Sequence, residues 1–129
     1  MKKVFLGGTC NGSKWRDGFV KELTEIDWYN PVVENWTPYV QEEEIRQRKN
    51  CDYVLYVLTP LMTGFYSVAE VVDDSNKRPD KTVLLVLNED GGQVFTPHQI
   101  KSLEAIKNLV KANGANVCDN WSTTFCRFV

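Results

Sequence analysis

Two stretches of the chain, DYVLYVLT (residues 52–59) and KTVLLVLN (81–88), are apolar throughout rather than alternating. Continuous runs of this length suit strands covered on both faces, the situation of a parallel sheet lined by helices. KKVFLGG (2–8) is a shorter apolar run closed by glycines and reads as a buried first strand. DWYNPVV (27–33) gives a second, short extended segment interrupted by Pro31, and ANVCDNW (115–121) a fifth strand at an edge.

Helical patterns alternate with these strands, which is the signature of an α/β domain. From Ser13, SKWRDGFVKEL spaces Trp15, Phe19 and Leu23 four apart and turns Lys14, Asp17 and Lys21 the other way, so one face packs on the sheet. PYVQEEEIRQRKN (38–50) is a polar helix with acids early and bases late, as the helix dipole favours. YSVAEVVDDSNK (66–77) is the crossover helix between the two long strands, although its apolar residues form no clean stripe. After the turn signal NEDGG (88–92), Thr96 is placed to cap a helix with Pro97 in its first turn. Ile100, Leu103, Ile106 and Val110 line one face of that helix, and Gly114 ends it. The aromatic tail STTFCRFV (122–129) is expected to dock on the body of the protein or on a partner subunit. At 129 residues the whole chain, 1–129, is expected to form one domain around one core.

Composition excludes several classes. Hydrophobic residues at 43% and charged residues at 25% are those of an ordinary globular chain, not a disordered or fibrous one. A net charge of -2 provides no basic field for a nucleic-acid polymer. Cys10, Cys51, Cys118 and Cys126 form no C-x-x-C pair, and His98 has no ligand type at metal spacing, so no metal site, redox motif or cofactor is expected. The apolar part of KKVFLGG is shorter than a signal-peptide core or a membrane span, and the expectation is a cytoplasmic protein with reduced thiols and no membrane partner.

In an open parallel sheet, ligands bind beyond the carboxyl ends of the strands. Three segments leave strands at that edge. GGTCNGS (7–13) is either a tight strand-to-helix turn or a cradle whose glycines and helix start suit phosphate or sugar oxygens; it fits neither the Walker loop nor G-x-G-x-x-G. TPLMTGFYSVAE (59–70) ends in Glu70, a carboxylate in apolar company. By spacing alone Glu70 stabilises a first helical turn; by its place at the crevice it is equally a nucleophile or an acid of raised pKa. Asp73 and Asp74, three and four residues on, share its face. Asp52 opens the strand feeding this loop, but that strand's rise sets it about 20 Å from the crevice. Asp52 reaches a site only where a ligand or a neighbouring subunit wraps to it. NEDGGQ (88–93) offers Asn88, in what is first of all a turn. Trp15, Trp28, Tyr29, Trp36, Phe65 and Tyr66 are core residues or stacking surfaces for a planar base, His98 is structural or exposed, and Glu42, Glu43 and Glu44 form a solvated face.

VFLGGTCNGSKWR, NPVVENWTP, CDYVLYVLTPLMTGFYSVAEVVDDSNKRPDKTVLLVL and NGANV together resemble the nucleoside 2-deoxyribosyltransferase superfamily, in particular its compact nucleoside 2-deoxyribosyltransferase-like branch. The resemblance extends to about residue 117, and TGFYSVAEVVDDSNKRP is its most specific part. It implies a flavodoxin-like or Rossmann-like three-layer sandwich with a mainly parallel sheet of about five strands. It also implies a homo-oligomer and chemistry at the N-glycosidic bond of a nucleoside or nucleotide. Ser67, Val68, Ala69 and Glu70 match the small-x-x-Glu context of the family, which assigns Glu70 the role of nucleophile, and Asp52 matches the aspartate at the start of the preceding strand, which relatives use near the sugar or the leaving base, so the resemblance makes it a second catalytic candidate. Gly7, Gly8, Thr9, Asn11, Arg16, Trp36, Met62, Tyr66 and Ser67 are candidate substrate contacts, Arg16 as a partner for a phosphate, and the resemblance makes Asn88 a candidate contact in a neighbouring subunit's site. The chain departs from the family at Gly64, where the transferases carry an aspartate, and at Phe5, where they carry a tyrosine. Base protonation and nucleophile orientation are then left to other groups, with Tyr66, Asp73 and Asn88 as candidates. Three activities follow as alternatives: transfer or hydrolysis through Glu70, recognition of a nucleotide without turnover, and cleavage of the nicotinamide bond of NAD.

Overall fold

Successive residues of the long apolar runs go to opposite faces of one sheet, and this assembles the molecule. The computed structural model describes residues 1–10, 12–33 and 35–128. Along the chain follow β1 (Lys3–Gly8), α1 (Trp15–Lys21), β2 (Asp27–Tyr29), α2 (Pro38–Asn50), β3 (Tyr53–Leu58), α3 (Tyr66–Lys77), β4 (Thr82–Val86), β5 (Glu89–Asp90), β6 (Gln93–Val94), α4 (Pro97–Ala112), β7 (Asn116–Cys118) and α5 (Trp121–Cys126). Five strands pair in parallel in the order β2-β1-β3-β4-β7, and β5 and β6 form a separate antiparallel hairpin. This is the flavodoxin-like strand order, and its direction reverses between β1 and β3.

Val4 and Leu6 of β1, Leu55 and Val57 of β3, and Val83 and Leu85 of β4 are buried on one face with Trp15 and Phe19 of α1 and with Phe128. The intervening residues Phe5, Val54, Tyr56, Leu58, Leu84 and Val86 are buried on the other with Val71 of α3 and Leu103 and Val110 of α4. Burial on both sides explains why these strands carry no polar alternation.

Local chemistry sets the element ends. β2 stops at Tyr29, two residues short of Pro31, which has no N–H to extend a ladder. The predicted NEDGG turn becomes the β5–β6 hairpin, with Gly91 and Gly92 at φ +57° and +82°, the positive values that a two-residue turn of this hand requires. Thr96 and Gln99 form a reciprocal capping box at the start of α4. Ile100, expected on the apolar face of α4, lies in its first turn and stays 42% exposed; the buried stripe begins at Leu103. The aromatic tail docks on the chain's own body: Phe125 stacks on Phe19 at 5.0 Å, Trp121 stacks on Trp15 at 6.2 Å, and Phe128 meets Tyr53 edge-on at 5.0 Å. Among the described residues no helix is long and apolar enough to cross a membrane.

The last residue of β1 is the tightest point of the sheet. Gly8 has φ +113°, and a Cβ there would lie 2.1 Å from the Val57 carbonyl oxygen of β3. Gly8→Ala is therefore expected to lower the unfolding free energy by roughly 3 kcal/mol or more, read from chemical denaturation; an unchanged midpoint would contradict this packing.

Candidate active site

The strand order places a crevice at the carboxyl ends of β1 and β3, and Glu70 faces it from the second turn of α3. Two cavities share Trp36, Glu44 and Glu70 as walls. One, of about 250 Å³, is completed by Gly7, Gly8, Cys10, Arg16, Pro31, Val32, Val33 and Ser67. The other, of about 270 Å³, is completed by Gln41, Ile45, Arg48 and Tyr66. Together they reach the size of small-molecule pockets, roughly 300–1,000 Å³.

Glu70 is 8% exposed, and its Oε2 is buried without a hydrogen-bond partner among the described residues. The Arg48 Nη1 lies 3.4 Å from that oxygen. Arg48 comes from α2, and its stronger contacts go elsewhere. Nε and Nη2 donate to the two oxygens of Asp74 at 3.2 and 3.0 Å, and Nη2 also reaches Asp73 at 3.3 Å. Asp74, fully buried, accepts in addition from the Tyr56 hydroxyl at 2.5 Å and from Arg78. The crossover helix lacks a clean apolar stripe because Glu70 and Asp74, one turn apart, turn inward toward Arg48.

These surroundings control ionisation. Burial pushes the Glu70 carboxyl up from its ordinary 4.5 to about 7; Arg48 opposes the shift, and the nearby Glu44 carboxylate adds to it. Burial works against the Arg48 charge, but hydrogen bonding to Asp74 together with the charges of Tyr56, Asp74 and Glu70 outweighs it, and its pKa rises. The Tyr56 hydroxyl is likewise raised, by burial first and then by Asp74.

The β1–α1 loop is held from inside. Arg16, 7% exposed, donates through Nε to the Leu6 carbonyl at 3.0 Å, and through Nη1 and Nη2 to those of Thr9 and Gly8 at 2.7 and 3.2 Å. Its guanidinium lies 4.5 Å from the Trp15 ring, and burial brings its pKa down to about 10, so it keeps its charge at neutral pH. The Thr9 hydroxyl accepts the Thr59 N–H at 2.9 Å and ties this loop to the one after β3. Gly7 is needed for packing, since a Cβ there would lie 2.6 Å from the Tyr56 ring.

Of the residues singled out from sequence, Gly7, Gly8, Arg16, Trp36, Tyr66 and Ser67 therefore line the cavities beside Glu70. Thr9 is buried under the loop, Met62 packs at the edge of the core cluster around Phe5 and Val71, and Asn88 is exposed and lines neither cavity. Asn11 lies outside the described residues. Asp52 is exposed at the amino end of β3, where it accepts the Lys3 N–H at 2.8 Å; within one chain it stays away from Glu70. Glu44 corrects the expectation of a solvated Glu42–Glu44 face, because it is half-buried and borders both cavities. Sequence reading also missed Arg48 and Tyr56. The available signal was spacing: Glu44 and Arg48 stand four apart on α2 and so share a face.

Between pH 4.5 and 7 the folded chain holds a proton on Glu70 that the unfolded chain has released, so this group's contribution to stability falls as pH rises through that window. Glu70→Gln is expected to be more stable than the parent at pH 8 by about 1–3 kcal/mol, with the gain vanishing near pH 4.5. Thermal unfolding at the two pH values checks this; equal differences at both would contradict it.

Comparison with curated proteins finds no match. Residues 1–90, which carry the crevice, Glu44, Arg48 and Glu70, match the family described as nucleoside 2-deoxyribosyltransferase like, and the chain belongs to that family.

Proposed function

We propose that the protein acts on the N-glycosidic bond of a nucleoside or nucleotide, with Glu70 as nucleophile and Glu44 as the acid and base. One observation carries this reading: a buried carboxylate whose Oε2 has no hydrogen bond among the described residues faces a crevice at the strand-order switch, with a second carboxylate beside it. A carboxylate nucleophile with a second carboxyl group as acid and base is the usual pair for cleaving a glycosidic bond through a covalent intermediate. Glu70 attacks the anomeric carbon, the bond to the base breaks, and the electron pair leaves with the base nitrogen. The pair enters this step with one proton, carried by Glu44 while Glu70 is ionised; Glu44 delivers that proton to the departing base and is left as carboxylate. In the second half-reaction water or another base attacks the anomeric carbon of the glycosyl-enzyme, Glu44 takes up the incoming proton, and Glu70 departs as carboxylate. Trp36 and Tyr66, 60% and 69% exposed beside the cavities, offer rings on which a base can stack. Arg16 gives the sugar end of the crevice its positive charge, which suits a phosphate. Asp52 has no part within the same chain, and Asn88 is left to a neighbouring copy's site.

Base release from deoxynucleosides and their 5′-monophosphates, with and without an acceptor base, tests the reading. Glu70→Ala is expected to lose roughly 10⁴-fold in kcat/KM, about 5 kcal/mol of barrier. Since the nucleophile must be ionised, the parent's kcat/KM is expected to fall as pH drops through about 7. A Glu70→Ala protein as active as the parent overturns the assignment. Nucleotide binding without base release supports a recognition module instead, and nicotinamide release from NAD redirects the substrate.

A further inference from the structure

The Glu70 carboxylate has to be held and kept ionised by something, and α2 supplies one group able to do both. Within α2, which runs over thirteen residues, Arg48 alone is buried. An arginine carries five N–H donors in a rigid fork. Here the Nε and Nη2 side of that fork faces Asp74 and Asp73, with Asp74 gripped at both oxygens. Tyr56 on the central strand and Arg78 at the end of α3 hold Asp74 in turn. The fork is thus fixed from behind, and its remaining nitrogen, Nη1, stands 3.4 Å from Glu70 Oε2 without making a hydrogen bond to it.

We propose that Arg48 is the positioning residue of this site: clamped by Asp74, it favours the Glu70 carboxylate by charge alone and leaves the lone pairs of Oε2 free of a hydrogen bond. The inference rests on the reading of Glu70 as nucleophile. A hydrogen bond to the attacking oxygen would have to be broken during attack, whereas a nearby fixed charge stabilises the ionised nucleophile without one. Among the described residues, the charged and titratable groups facing Glu70 are Glu44 and Arg48 from α2, Asp74 from α3 and Tyr56 from β3, with Asp73 on the far side of Arg48. Arg16, Cys10 and Tyr66 border the same cavities. Arg48 is the cation that the geometry pairs with Glu70, so its removal leaves the carboxylate opposite Glu44 and Asp74 uncompensated.

Two conservative variants and two readouts test this. In Arg48→Gln the pH midpoint of kcat/KM is expected to move up by about one unit or more, with kcat reduced and KM little changed. In Arg48→Lys, which restores the charge but not the fork, the midpoint returns most of the way while kcat stays below the parent's. A merely structural role would lower activity without moving the midpoint. The second readout is direct titration of the Glu70 carboxyl by ¹³C NMR, assigned by its loss in Glu70→Gln. This requires no turnover, so it separates failure of the positioning from failure of the glycosidic reading. Should Arg48→Gln not fold, the titration in Arg48→Lys decides. A Glu70 midpoint within about 0.3 units of the parent's in whichever variants fold overturns the proposal.

Discussion

Asp74 is the fixed point of the polar interior. It is fully buried on α3 and accepts hydrogen bonds from Tyr56 on the central strand, from Arg48 on α2 and from Arg78 at its own helix end. Removing such charges from water costs several kcal/mol per ion, and their mutual attraction offsets much of that only when the geometry is good and the remaining donors are satisfied. The consequence of the cluster is therefore geometric. α2 has no continuous apolar face to dock with, and through Arg48 this contact fixes where Glu44 and Arg48 stand relative to Glu70.

The same arrangement leaves Glu70 poorly compensated. Burial raises its pKa, Arg48 opposes the shift from 3.4 Å, and its buried Oε2 receives no hydrogen bond among the described residues. A sequence selected for stability alone would place an amide or an apolar side chain there, so the buried carboxylate is kept at a cost in stability. The two glycines that end β1 also bear on the site through packing. Gly7 makes room for the Tyr56 ring, whose hydroxyl holds Asp74, and Gly8 lets β1 approach β3 at the crevice.

The layer architecture was legible in the chain because strands buried on two faces need uninterrupted apolar runs, and the ends of α4 because Thr96, Pro97 and Gly114 act locally. Asp52, a catalytic candidate by resemblance, lies at the amino end of β3, the end opposite the crevice, as the rise of that strand leads one to expect. The reach of Glu70 to the crevice was legible from topology. Its partners were not. Arg48 and Glu44 sit in a helix whose composition describes a solvated rod, and only the packing of α2 against α3 makes them interior groups. The same is true of Tyr56, which reads as one more apolar strand residue until its hydroxyl finds Asp74. Hydropathy records transfer from water; it carries no information about which polar groups will meet once buried.

The central claim is a covalent bond between Glu70 and the anomeric carbon. A 2′-fluoro arabino-nucleoside, whose fluorine slows departure of the sugar from the enzyme, makes that bond long-lived enough to weigh. Mass spectrometry of the treated protein is expected to show one added fluoroglycosyl group, mapped by peptide digestion to Glu70 and absent from Glu70→Ala. Base release without any adduct, or an adduct mapped to Glu44, would contradict the account.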